Sequence, residues 1–221
     1  MDSPQALRRE DYQIGVICAL PIEQAAVIAT LDDDEHPGLT PMSGDDNQYT
    51  FGRIKDHIIV IACLPAGHMG AANACNVATN MQRSFPIKFG LMVGIAGGVW
   101  SEENDVHLGD VVVGQPKGQF GGVVQYDFGR TERDGSFKRT SSLNEPAKVL
   151  LHSLQSLRTK HLIQRNNLME VLEAMLLKKP HMVKVFEYPG AALDQLFDAS
   201  YDHEGSPANC KRCDPSRVPQ D

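Results

Sequence analysis

The chain has 221 residues, 42% of them hydrophobic and 22% charged, so there is ample apolar material for a core and a wholly disordered chain is excluded. With 21 basic against 28 acidic residues the net charge is −7, and no basic block exceeds Lys178-Lys179. A nucleic-acid backbone or an anionic membrane surface is therefore not an expected partner.

The N-terminus has no apolar core, so it does not read as a secretory signal. The longest apolar run, from Ile58 to Pro65, is far short of the roughly 20 residues that span a bilayer. Of five cysteines, Cys18, Cys63 and Cys75 sit in apolar segments and read as small buried hydrophobes. An odd count without a leader points to a reducing compartment, and the cytosol is the expected location.

Residues 1–11 read as a disordered lead-in. The run from Tyr12 to Leu20 is short, apolar and rich in β-branched residues, the pattern of a strand buried on both faces. Pro21 follows, suited to a first helical turn, and Ile22 to Leu31 carries good helix formers with Glu23 in that turn. Residues 32–48 are acidic and broken by Pro37, Pro41 and Gly44, which predicts a solvated loop. Gln48–Ile54 and His57–Cys63 form a predicted hairpin with Lys55-Asp56 at its turn. Gly67-His68-Met69-Gly70 leads into a helix of small residues, Ala71 to Met81. A buried strand, Phe89 to Val93, then runs into Gly94-Ile95-Ala96-Gly97-Gly98, and a further strand is expected over Asp110 to Val113.

Beyond residue 140 the spacing of Ala147, Leu150, Leu151, Leu154 and Leu157, and then of Leu168, Val171, Leu172, Met175 and Leu176, predicts two helices, the second ended by Pro180. From Glu204 the chain is polar and turn-rich, and residues 204–221 read as an irregular tail behind a partial domain over 12–203. Strands alternating with helices define an α/β fold with a central mixed sheet flanked by helices, lacking closing elements at the C-terminus.

Ligands of open α/β sheets sit where strands end. Three segments lie at such places: Leu20 to Glu23, Gly67 to Gly70 and Gly94 to Gly98. The glycines of the last let backbone N–H groups approach a ligand, or serve simply as a turn; their spacing matches neither a dinucleotide fingerprint nor a phosphate-binding Walker loop. Glu23, kept anionic by the helix dipole, either holds a water or only supports its helix. His68 is placed to touch a ligand, or is solvated. Cys210-Lys211-Arg212-Cys213 is half of a zinc-ribbon pattern without a second pair, so no metal site is assigned.

Taken together, Ile14 to Glu23, the Gly67-to-Ala74 turn and helix, and Val93 to Val99 followed by Gly109 to Val113 resemble the nucleoside phosphorylase / nucleosidase superfamily. The likeness extends over residues 12–215. It is strongest to the fungal version at the N-terminus of NLR-like proteins, ahead of NACHT and ankyrin or tetratricopeptide repeats. Asp127-Phe128-Gly129-Arg130, and Tyr188-Pro189-Gly190 through Tyr201-Asp202-His203, are typical of that group.

The resemblance implies cleavage of the N-glycosidic bond of a purine nucleoside. Glu23 matches the glutamate that holds the attacking water. Ile95, Ala96 and Gly97 match the loop lining ribose and base, with Gly98 and His68 beside it as substrate-contacting candidates. The phosphate-gripping arginine of the phosphorolytic branch is replaced by Met92, and the Gly-Asp-Pro-x-x-Arg signature is absent near residue 20. Hydrolysis is thus expected over phosphorolysis, and no cofactor is expected beyond phosphate as co-substrate in the phosphorolytic case.

The family's later Met-Glu segment and its N7-protonating Asp do not occur before Asp221, so activity is expected to be weak or lost. A second reading is a non-catalytic nucleoside-sensing module of an NLR-like signalling protein; a third is an inert, poorly soluble fragment with an open sheet edge. Relatives commonly form dimers or rings, so a homo-oligomer and further NACHT or repeat domains are the expected protein partners.

Overall fold

The computed structural model describes residues 7–32, 38–205 and 210–218. The chain divides into two compact units, residues 1–96 with 166–181, and residues 97–165 with 182–221.

The first unit is a sheet sandwiched by helices. Strands β1 (Ile14–Cys18), β2 (Tyr49–Ile54), β3 (His57–Cys63) and β4 (Phe89–Met92) lie in the order β2-β3-β1-β4. β1 runs parallel to β3 and to β4, with Ile14 opposite both Ile59 and Phe89, while β2 and β3 form the antiparallel hairpin. The sheet is mixed, as the alternation of elements predicts. Lys55 closes the hairpin at φ 52°, the left-handed conformation that a two-residue turn between twisted strands demands.

Helix α1 (Pro21–Ala29) follows β1, and α2 (Ala71–Ser84) connects β3 to β4. The period-two alternation of β3 sorts the core into two layers. Ile59 and Ile61 join Val16, Cys18 and Leu31 on the face packed by Val27 and Ile28 of α1. Val60 and Ala62 join Tyr12, Phe51, Leu64, Val77, Met81 and Phe85 on the other face, with α2. The aromatic rings there meet edge to face, Tyr12 on Phe51 at 5.0 Å and Tyr49 on Phe85 at 5.1 Å between centroids. Gly15 lets α2 approach, because a Cβ at that position would strike Met81 Sδ.

Several expectations are corrected. Of the lead-in, residues 9–11 form a 3₁₀ turn, and Arg9 donates to the carbonyls of Ser84 (2.8 Å) and Thr40 (2.7 Å) while capping the Phe85 ring. Part of the acidic loop, residues 33–37, lies outside the described residues. Within the rest, Asp45 is buried rather than solvated: it accepts from Asn47 N (2.9 Å), Tyr49 Oη (2.7 Å) and Ser84 Oγ. Three donors supply what water would have given. Cys75 is exposed on α2, whereas Cys18 is buried and Cys63 half-buried.

Among the described residues β4 is an edge strand, and Leu91 and Met92 are exposed at 42% and 68%, where a buried strand is expected. Residues 110–113 form no strand, and Val111, Val112 and Val113 are exposed. Apolar residues make a strand only where a partner backbone takes up their hydrogen bonds, and no described residue pairs with them.

α4 (Leu168–Lys178) belongs to the first unit and buries Met175. The second unit holds the hairpin of β5 (Gly129–Thr131) and β6 (Phe137–Arg139), with α3 (Lys148–Ile163) and the short α5 (Val183–Phe186). α3 realises the predicted periodicity, but its stripe is only half-buried at Leu150, Leu151 and Leu154, and Leu157 is exposed. No helix among the described residues is long and apolar enough to cross a membrane.

Candidate functional site

Because β1, β3 and β4 are parallel, their carboxyl ends lie at one edge of the sheet, and the chain leaves each strand there. That edge receives the start of α1 with Glu23, the turn Pro65 to Gly70 with His68, and the loop that begins at Val93. The ladder persists to the last residues of the strands, with Leu64 N on Cys18 O (2.9 Å) and Val93 N on Ile17 O (3.0 Å).

Glu23 is the joint of this edge. Pro21 occupies the first turn of α1, and the N–H groups of Glu23 and Gln24 both reach Leu20 O at 3.1 Å. The side chain turns back on its own entry: Oε2 accepts from Ala19 N and Leu20 N, each at 2.8 Å. Oε1 accepts from Ile95 N at 2.8 Å, across 72 residues of sequence. One carboxylate therefore ties the exit of β1 to the exit of β4.

Burial raises the carboxyl's pKa, and the hydrogen bonds from Ile95, Leu20 and Ala19 outweigh it, so the group is held below the ordinary carboxylate range. The side chain is only 6% exposed. Its charge is felt nearby: the Cys18 thiol is pushed up to about 11 by burial, by Cys63 and by Glu23. A carboxylate offers about four acceptor positions. Three are filled, and one acceptor position on Oε1 has no donor among the described residues.

Gly94 explains itself here. A Cβ at this residue would lie 2.8 Å from Glu23 Oε1 and 3.3 Å from its Cδ, so only glycine lets the loop settle on the carboxylate. Spacing alone marked residues 94–98 as glycine-rich but singled out neither this contact nor the amides of Ala19 and Leu20. A glycine directly after a strand end, facing a lone carboxylate on a parallel neighbour, is the signal that was available.

Ile95 gives its N–H to Glu23 while its side chain is 68% exposed, and Ala96 continues the loop at the surface. Gly97 and Gly98 begin the second unit, where a Cβ on Gly98 would meet Val106. His68 is exposed, its N–H held by Pro65 O at 3.0 Å. Thus Glu23 and Ile95 are brought into direct contact, and His68 shares their edge through the parallel topology.

Elsewhere, in the second unit, His107 is clasped by Asp194 and Asp105 at 2.7 Å each, and those carboxylates raise its pKa. Among the described residues one His/Cys group has the spacing of a metal site: the ligand atoms of His203, Cys210 and Cys213 all lie within 4.8 Å of one another.

The mixed α/β sheet is consistent with the phosphorylase fold, and the family model of the phosphorylase superfamily matches residues 13–170. The chain belongs to the phosphorylase superfamily. It is 46% identical over 154 residues to a nucleotide-binding leucine-rich repeat (NLR)-like protein of Hyaloscypha variabilis, a match covering 69% of this chain and 15% of that protein. It is 30% identical over 116 residues to the 5'-methylthioadenosine/S-adenosylhomocysteine nucleosidases of Mycobacterium bovis and Mycobacterium tuberculosis, covering 52% of this chain and 39% of each. The chain thus spans well under half the length of these curated relatives. No solved structure matches it.

Proposed function

We propose that this chain carries the water-holding half of a nucleosidase site, and that the protein cleaves the N-glycosidic bond of purine nucleosides by hydrolysis. The observation that carries the reading is the Glu23 carboxylate, fixed between the exits of β1 and β4 with one acceptor position left on Oε1. Breaking a bond to an anomeric carbon builds positive charge on the sugar. A fixed anion at that place stabilises the charge and aims a water through the remaining lone pair.

Its lowered pKa makes Glu23 a poor proton acceptor at neutral pH, because an efficient general base has a pKa near the working pH. The role assigned to it is therefore orientation and charge stabilisation: the departing purine takes the electron pair of the carbon–nitrogen bond, water adds to the anomeric carbon, and the proton the water loses balances the one that makes the released base neutral. Ile95, Ala96 and His68, which lie in the same unit as Glu23, are the proposed contacts to sugar and base. Met92, which stands where the phosphorolytic branch has its arginine, carries no charge to grip phosphate, and this favours water as the nucleophile. The nucleosidases among the relatives support the same choice.

A second reading is supported by the same bonds. Three backbone donors already occupy the carboxylate, so Glu23 can serve as a clasp alone, in a nucleoside-sensing module of an NLR-like protein such as the 46% identical relative. In either case further domains are expected partners.

The deciding experiment incubates the chain with adenosine, inosine and methylthioadenosine, with and without phosphate, and follows free base by chromatography. Base released without phosphate, and abolished in Glu23→Gln at a temperature where that variant is folded, supports the hydrolase. Release that requires phosphate overturns hydrolysis. Saturable nucleoside binding without base release assigns the chain to the sensing module.

A further inference from the structure

The segment from residue 182 onward has almost no core of its own. Among its described residues Cys213 alone is buried, at 7% exposure. Yet residues 197–204 and 210–218 are tied into a defined arrangement. Asp198 N donates to Arg217 O at 2.8 Å. Tyr201 Oη accepts from Asp214 N at 2.8 Å and donates to Glu204 Oε1 at 3.0 Å. The Tyr201 ring stacks on Phe197, and the Arg217 guanidinium lies 5.5 Å from its centroid.

Beside these contacts lie three soft or borderline donors, of which Cys213 is buried and His203 and Cys210 are exposed. Cys213 N closes a turn on Cys210 O at 3.1 Å, which brings the two thiols of Cys-x-x-Cys together as a metal knuckle does. Immediately after Tyr201 and Asp202, His203 turns its imidazole to the same place, so that the three ligand atoms lie within 4.8 Å of one another. Ligands around a tetrahedral zinc, with Zn–S near 2.3 Å and Zn–N near 2.0 Å, sit about 3.5–3.8 Å apart. Little movement is needed to close the set on an ion.

We propose that His203, Cys210 and Cys213 form a structural zinc site, with solvent as the fourth ligand, that fastens residues 197–218 in place of a hydrophobic core. Small segments that cannot bury enough apolar surface are commonly held by a metal, whose binding free energy then becomes folding free energy. Thiolate and imidazole donors select zinc over the hard cations. Tyr201 is a positioning residue: it ties Glu204 and Asp214, the neighbours of His203 and Cys213, to one another. The proposal departs from the metal-free expectation, which looked for a second cysteine pair and not for a histidine seven residues upstream. It is independent of the nucleosidase reading.

The test uses the full chain, purified under reducing conditions, stripped of metal and titrated with Co²⁺. The expected result is thiolate-to-cobalt charge-transfer absorption with tetrahedral d–d bands, saturating at one equivalent and displaced by Zn²⁺. His203→Ala should weaken binding at least about tenfold, and Cys210→Ser with Cys213→Ser should abolish the charge-transfer band, while far-UV circular dichroism shows the α/β unit intact. Cys75→Ser, at an exposed thiol outside the site, should change nothing. No band under reducing conditions, a band that survives loss of both Cys210 and Cys213, or a band lost in Cys75→Ser overturns the proposal.

Discussion

Replacing Glu23 by Gln removes a charge and changes one carboxylate oxygen from acceptor to donor, with almost no change in volume. In the native site Oε2 takes two backbone N–H groups and Oε1 one, all at 2.8 Å. The best an amide can do is point its oxygen at Ala19 and Leu20, which sets its NH₂ against the N–H of Ile95. At least one charge-assisted bond is lost, about 1.5–3 kcal/mol, and two donors are left facing each other in a buried place. The total is about 3 kcal/mol, or a fall of about 6–12 °C in Tm for a chain of this size.

The pH dependence adds a second readout. The carboxyl's folded pKa is lower than its unfolded value, so its contribution is complete above the unfolded pKa, about 4.3, and drains away as the pH falls through the folded value. The stability gap between the wild-type chain and Glu23→Gln should be constant from pH 7 to pH 5 and shrink on going to pH 3. Urea unfolding across that range measures it. Equal stability at pH 7, or a gap that does not narrow in acid, refutes the picture of a carboxylate clasp.

Gly94→Ala should drive the new methyl into Glu23 Oε1 and cost about 1–3 kcal/mol in urea midpoint experiments, together with loss of nucleoside binding. Asp45→Ala should destabilise by about 2–3 kcal/mol, because Tyr49 Oη and Ser84 Oγ lose their shared acceptor, and Asp45→Asn should cost less. Iodoacetamide at pH 8 should label exposed Cys75 well before Cys18, whose thiol is buried with a pKa raised to about 11; equal rates by peptide mass mapping contradict the burial. The His107 ring should titrate above the ordinary histidine value by NMR, and Asp194→Asn should bring it down. Any stability that the protonated ring provides is present at low pH and lost as the pH rises through the folded value.

The sequence was most informative where local chemistry and tertiary packing agree. Pro21 before a run of helix formers, Lys55-Asp56 between two β-branched runs, and Pro180 after a leucine stripe each mark a boundary found within a few residues of its expected place. Val111 to Val113 failed because β-branched composition states what a strand prefers and not whether a partner edge exists. Asp45 failed for the opposite reason: an acidic, proline-broken loop reads as solvated, and only the fold reveals that Tyr49 and Ser84 close on it. In the site, the strand-end position of Glu23 was legible from its neighbours. Its attachment to Ile95 was not, because a contact across 72 residues leaves no periodic trace.

The Glu23 clasp separates the presence of a residue from the presence of an activity. The same side chain secures two chain exits, so its part in holding the fold is the same whether or not a glycosidic bond is ever broken. A glutamate here, with the glycine at 94 seated against it, marks an intact scaffold, and turnover alone marks an enzyme.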